Sequence, residues 1–451
     1  MEVTVMGKQI IDGFRRILLY RRMRHSLTVV SCLLLSTGAF CQKTLTLDGC
    51  LQTALEHNVA YLIASNEHQS AQLAKDELAK TALPEVRIGG KALDAPHSEL
   101  HGYDPASTDG GIFSAQLELQ ELLYDGGARG TKSQQLSVDI DRLGIEQRRA
   151  ERDLRYAVTS AFLDALESRE ELTLEQDQEK ELAEYSDLVT RLYHGGGISY
   201  TDVLKTDLSL QNAHLAVERA YQSYAGAKIA LAAAMGTPQD TSFSLQGEIG
   251  VPDSAGTFAL LEKATSDSSA NLDLQSADLA AQRSQFDVDL AKSERLPSVV
   301  LTGDVGFLSS GDNLNLPSDQ RFNSLGYSVG FSIENLLANW GATDLRIQQR
   351  ELDAQNIRLA FEQQLRALRG DVERMRTDLV SGYSQVRMIQ KILKVSADNY
   401  MVTKAQYAGG ASSALEVLSA QQSLAENRIS DLHTRATLQR LVAKLNQVLA
   451  R

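Results

Sequence analysis

The sequence predicts a mostly α-helical protein with a small β part, built as two repeats of a helix, a β-hairpin and a long helical hairpin. Three observations predict it. Landmarks recur 213–214 residues apart: Asn58 with Asn271, Pro84 with Pro297, Gly127 with Gly341, Tyr193 with Tyr407, and Gly195-Gly196 with Gly409-Gly410. A fixed internal period is the signature of duplicated architecture. The prolines stand at 84, 96, 105, 238, 252, 297 and 317, so none interrupts 127–193 or 342–408. Short stretches ahead of each of those segments alternate apolar and polar residues with a period of two, as strands with one wet face do.

Arg21, Arg22 and Arg24 precede a short apolar run from Ser26 to Phe40, with Thr37-Gly38-Ala39 as a small-residue cleavage signal. This pattern predicts a secretory signal peptide over 1–41, too short for a membrane span. Met23 is an alternative start, and Cys41 is a candidate lipidation site that the bulky Phe40 beside it disfavours. Removing 1–41 takes away six Lys/Arg and two Asp/Glu and moves the net charge from −13 to −17. An acidic exported chain is a poor ligand for nucleic acid. Cys50 is the sole cysteine beyond the signal, so no disulfide framework is expected.

The first repeat is expected over 42–247. Val86-Arg87-Ile88 and Phe113 to Leu119 alternate, predicting strands at about 85–93 and 111–123. Without an internal proline, 127–193 can run as one helix, about 100 Å long at 1.5 Å per residue. Leu136, Ile140, Leu143, Ala150, Leu154, Ala157 and Ala161 follow a three-four spacing, the mark of a coiled-coil seam. Gly195-Gly196-Gly197 ends this helix at a tip over 194–199, and a second helix runs back from near Tyr200. The second repeat, 248–451, follows the same plan. Its strands are expected at about 298–308 and 324–335, its long helix at 341–408, its tip at 409–413, and its return helix from near Ser413.

Strands of about ten residues with apolar and polar faces fit a transmembrane barrel. Four cannot close one, and lipid tolerates no open edge, so several chains would have to share it. No catalytic constellation stands out. The histidines are scattered; His97 and His101 share a loop, which chance explains better than a metal site. No phosphate loop or nucleophile motif is present, so neither enzyme activity nor a cofactor is expected.

Four sets of residues carry a family resemblance. Leu45-Thr46-Leu47-Asp48 through Ala54-Leu55-Glu56-His57-Asn58 resembles the opening helix of TolC-like outer-membrane efflux proteins. Leu83-Pro84-Glu85-Val86 and Leu296-Pro297-Ser298-Val299 resemble the family's helix-to-strand junctions. Leu122-Leu123-Tyr124-Asp125-Gly126-Gly127 resembles its strand-to-helix junction, and Tyr193 to Leu204 its hairpin tip. The copy Leu336-Leu337-Ala338-Asn339-Trp340-Gly341 departs by lacking Asp-Gly.

The resemblance implies a homotrimer: a 12-stranded β-barrel in outer-membrane lipid, continued by a 12-helix α-barrel in the periplasm, with a belt near Gly236–Thr257. It implies a passive exit duct of a multipartite efflux or secretion system, joined to a periplasmic adaptor and an inner-membrane transporter. It places a gate latch at Tyr407, Arg435 and Asp202, a constriction ring at Glu416, and adaptor-contacting tips at Gly195, Gly196, Gly197, Gly409 and Gly410. Ser412 and Ser419 stand where the family carries a second latch arginine and a second ring acid. A protein-secretion duct of type I systems and a periplasmic coiled-coil scaffold without a pore stay open as alternatives.

Overall fold

The computed structural model describes residues 43–95, 110–266, 271–310 and 322–449. The expected signal peptide, Cys41, His97 and His101 lie outside them. The first copy contains β1 (Lys43–Leu45), α1 (Leu47–His57), α2 (Val59–Lys80), β2 (Glu85–Ala95), β3 (Gly110–Asp125), α3 (Ala128–His194) and α4 (Tyr200–Ala234). A short strand β4 (Phe243–Leu245) and α5 (Ser254–Ser266) follow. The second copy then contains α6 (Leu272–Ser293), β5 (Ser298–Ser310), β6 (Phe322–Glu334), α7 (Ala342–Ala408) and α8 (Ala414–Val448). The long helices α3 and α7 are each 67 residues. β3 runs to Asp125, two residues past the expected end, because a bulge at Leu122/Tyr124 keeps it paired.

The repeated asparagines turn out to be caps with a second task. Asn58 Oδ1 accepts from the Ala60 and Tyr61 amides, and Asn271 Oδ1 from the Asp273 and Leu274 amides. Each opens a helix this way. Each also donates from Nδ2 to the end of its own copy's return helix, Asn58 to Ala234 O at 3.3 Å and Asn271 to Val448 O at 2.9 Å. One residue type thus starts one helix and ties down another, twice.

The four long strands form one antiparallel sheet in the order β2-β3-β5-β6. Its register sorts side chains by face. One cross-strand row reads Ile88, Leu117, Val305, Tyr327, and the next reads Arg87, Glu118, Asp304, Ser328. On β6, Leu325, Tyr327, Val329, Phe331 and Ile333 share the apolar face and are all exposed, Tyr327 at 84%. A sheet apolar on its outer face and charged on the other suits lipid on one side and water on the other. Glu118 opposite Asp304 would repel in a dry interior, so that face must be wet.

Above the middle of the molecule the helices pack in the order α2-α3-α6-α7, and below it in the order α4-α3-α8-α7. Around the middle, β1 pairs in parallel with β4. They cover a core of Val158, Phe162, Ala165, Leu166, Leu231, Phe243, Ile249 and Leu432. This corrects the expected seam: Val158 is buried whereas Ala157 is exposed. α3 is covered on more than one side here, and a strict coiled-coil stripe is too narrow.

Between the copies, α6 is bound to α3 by charge. Arg152, 8% exposed, and Arg149 both reach Asp273 at 2.7 Å, and Arg283 pairs with Asp139 at 2.9 Å. The repeat mate of Arg152 is Arg366, which is exposed and pairs with Glu362 of its own helix. Burial pushes the Asp273 carboxyl up, but its bonds to Arg152 and then Arg149 outweigh this and hold it below the ordinary carboxylate range.

Two outcomes follow. A depressed carboxylate stabilises the fold above its unfolded value, near pH 4, and loses that contribution as pH falls through the folded one. Thermal melts should therefore show acid destabilisation below about pH 4 that is smaller in Asp273→Asn. At neutral pH that variant should be less stable by about 1 kcal/mol, a discounted figure because 34% of Asp273 faces solvent. Second, Gly126 has φ +68°, and a Cβ there would lie 2.7 Å from Leu296 Cβ, whereas at Gly127 (φ +84°) a Cβ meets nothing within 4 Å. Gly126→Ala should cost about 3 kcal/mol and Gly127→Ala about 1 kcal/mol in denaturant melts.

Candidate functional site: the helical tips

Both tips are built the same way. After α3, Gly196 N donates to Tyr193 O and Gly197 N to Leu192 O; after α7, Gly410 N donates to Tyr407 O and Ala411 N to Gln406 O. These paired bonds form the Schellman stop. It needs one left-handed residue, and Gly196 and Gly410 supply it, each at φ +76°. Gly195 and Gly409 cap at negative φ. Nothing lies within 4 Å of a Cβ at 196 or 410, so the tips expose bare backbone.

The return helices start on serine caps. Ser199 Oγ accepts from the Asp202 amide and donates to its carboxylate at 2.8 Å. Ser413 Oγ accepts from the Glu416 amide, while Glu416 Oε2 accepts from the Ser413 amide at 2.8 Å and from Ser412 Oγ at 2.6 Å. Asp202 and Glu416 therefore hold the same position in the two copies. The reciprocal capping box is complete at Ser413-x-x-Glu416, whereas at Ser199-x-x-Asp202 the carboxylate meets the Ser199 hydroxyl instead. Glu416 is exposed, and the bond from Ser412 and then the Ser413 amide keep its carboxyl below the usual range.

Above the tips the two hairpins meet in an apolar joint of Leu182, Tyr185, Val189, Ala213, Val417 and Leu418, with Tyr407 packed against it. The Tyr185 and Tyr407 rings lie 5.7 Å apart, and the Tyr185 hydroxyl donates to Ala414 O at 3.4 Å. Burial pushes the Tyr185 hydroxyl well up, and Tyr407 and Asp202 add to the shift. The Tyr407 hydroxyl is buried and has no hydrogen-bond partner among the described residues. Gln421, on the inner side of α8, likewise buries both amide atoms unpaired. It lines a cleft of about 640 Å³ between α3, α4 and α8.

The structure brings Tyr407 and Asp202 to this joint but not Arg435. Arg435 lies 21 residues into α8, about 30 Å from the tip at 1.5 Å per residue. It bonds Asp431 at 2.9 Å and the carbonyl of Ile249. It shares this task with Gln439, which donates to Gly250 O, and with Arg169, which donates to the Leu245 and Gly247 carbonyls. Arg435 thus pins the 245–250 segment around the middle of the molecule. Sequence reasoning did not find that bracket, because its acceptors are backbone carbonyls and no residue type marks them. No group of acidic, histidine or cysteine side chains suited to a metal is present among the described residues.

No helix among the described residues is long and apolar enough to cross a membrane, which says nothing of the sheet. No curated protein matches the chain in sequence. Solved structures do match in fold. The outer membrane protein VceC of Vibrio cholerae is similar with a TM-score of 0.73 at 16% identity, over 90% of this chain and 96% of that one. The CmeC outer membrane channel of Campylobacter jejuni has a TM-score of 0.73 at 14% identity, over 90% and 85%. The open state of the Neisseria gonorrhoeae MtrE outer membrane channel has 0.70 at 18% identity, over 90% and 88%. The profile of the outer membrane efflux proteins matches twice, over 50–237 and 268–451, once per copy, and the chain belongs to that family.

Proposed function

We propose that three copies of the chain close head to tail into one exit duct, barrel above and helical tunnel below. As a family member the chain sits in the outer membrane, reaches into the periplasm and serves efflux. The observation that carries the assembly is that, among the described residues, each layer ends unpaired on the same two flanks. β2, α2 and α4 stand on one flank and β6 and α7 on the other. An open strand edge in hydrocarbon leaves backbone groups unsatisfied at several kcal/mol each. On the helical layers, Leu345, Leu352 and Leu359 of α7 are exposed at a seven-residue spacing, and Leu204, Leu208 and Leu215 of α4 are exposed at spacings of four and seven. A contact between different patches closes a ring. Three copies, the number the resemblance implies, supply twelve strands.

The duct works without chemistry. The second copy's hairpin moves against the first at the tyrosine joint, while Arg435 holds the middle still. Glu416 from three chains forms a ring at the constriction that favours cations. Bare tip backbone at Gly195 to Gly197 and at Gly409 and Gly410 receives a periplasmic adaptor, which couples the duct to an inner-membrane transporter. A scaffold without a pore leaves the wide apolar sheet face of β6 unexplained.

Conductance in planar bilayers tests both parts. Glu416→Gln keeps the capping box, since glutamine serves there too, and should lower cation preference; unchanged selectivity would remove the ring. In the latch reading the Tyr407 hydroxyl is bonded in the closed assembly, so Tyr407→Phe should destabilise the closed state by about 1 kcal/mol per chain and raise resting conductance. A fall in conductance would mean that the hydroxyl is an orphan there as well. Arg435→Ala should leave resting conductance unchanged and lower the melting temperature.

A further inference from the structure

Trp340 is the chain's single tryptophan, and its side chain is 99% exposed. It also stands where a bulky residue is disfavoured. At φ +55° it is the one non-glycine residue with positive φ among those described. The internal repeat supplies a control. The residue 214 positions earlier is Gly126 at φ +68°, and each is followed by a glycine, at φ +84° and +88°. The two turns share one backbone shape, so a Cβ leaves each in the same sense.

At Gly126 that direction runs into the next structural unit. A Cβ there would lie 2.7 Å from Leu296 Cβ and 2.8 Å from Ser293 O, both at the end of α6. Position 126 therefore faces straight across the seam between the copies, and glycine is required because that seam is closed. Position 340 faces off the open flank of α7. By the repeat, the unit that belongs there is a first copy, and the segment equivalent to Ser293–Leu296 is Lys80–Leu83, 213 positions earlier. Leu83 is 66% exposed, and Leu337 beside Trp340 is 92% exposed.

We infer that Trp340 is a wedge between chains, its indole seated on the turn Lys80–Leu83 of the next copy around the ring. The inference rests on the ring proposed above and names a residue that distinguishes its two kinds of seam. Within a chain the seam closes on Gly126; between chains it opens by the thickness of an indole. Leu83 offers the ring an apolar surface and Lys80 a cation. The strained backbone is a cost in the lone chain and is offset only on assembly, so Trp340 favours association rather than folding. That accounts for a left-handed tryptophan where the sister turn has glycine.

A single tryptophan makes the test direct. In lipid nanodiscs the assembled protein should show blue-shifted emission, shielded from acrylamide and not quenched by brominated lipid tails. The double variant Leu83→Cys, Trp340→Cys should form chain-to-chain disulfides under mild oxidant, while either single variant should not. Trp340→Gly should leave the melt of the dissociated chain unchanged or raised, and speed subunit exchange about tenfold. Quenching by brominated tails would place the ring in the bilayer, and quenching by acrylamide would place it in water; either, in an intact oligomer, overturns the wedge. A chain found monomeric by light scattering would instead overturn the ring reading and the wedge with it.

Discussion

An unpaired strand edge cannot stand in hydrocarbon, where no water satisfies its amides and carbonyls. The sheet β2-β3-β5-β6 has two such edges and an exposed apolar face, so one chain is an incomplete object. Everything below the sheet follows from the same incompleteness. The helices that continue from β3 and β6 inherit the strand order, and their layers end on the same flanks. In the proposed ring the chain is one sector, and the helices continue the shared barrel below the sheet as a tunnel.

Duplication explains how one sequence makes both a closed seam and an open one. Within the chain, α6 lies on α3, and that contact is fixed by Arg149, Arg152 and Arg283 with Asp273 and Asp139. The matching surface of α7 carries Arg366 in solvent and a row of exposed leucines. The intrachain seam is thus specified by charge and the outward one by apolar area. Ion pairs with one partly buried member are costly to break, which suits a contact that forms once during folding. An apolar stripe suits a contact that forms by association.

The tips show a different economy of design. A Schellman stop and a serine box make a turn from backbone bonds and one left-handed glycine, so the tip surface is left without bulky side chains. Asp202 and Glu416 serve first as caps for their helices. Any role at a constriction is added to that, because both bonds to Glu416 fall on one carboxylate oxygen, Oε2. The joint above the tips is less settled. Tyr407 and Gln421 bury polar atoms without partners among the described residues, and such groups are rare unless another arrangement satisfies them. That makes the joint the natural place for movement, in contrast to the middle, where carbonyls of 245–250 are held from two helices.

Much of the fold was legible from punctuation alone. Proline-free runs, glycine tips and the spacing of Asn58 and Asn271 are local matters, decided by backbone sterics and capping within a few residues. Strand alternation was legible for the same reason, since the two faces of a strand meet different solvents. Other features were decided by tertiary structure. The sequence pointed to Ala157 on the α3 seam, but the core chose Val158 because β1 and β4 arrive from distant parts of the chain. Arg435 reads as a charge on a helix face, yet its partner is a carbonyl 186 residues away. By itself the sequence pointed to the long helices, the hairpin strands and the glycine tips, though not to β1, β4 or α5, because the former rest on short-range geometry. Only the tertiary structure decided which arginine ties which seam, which hydroxyl is left unpaired, and which flanks stay open, because burial and pairing depend on what long-range folding brings alongside.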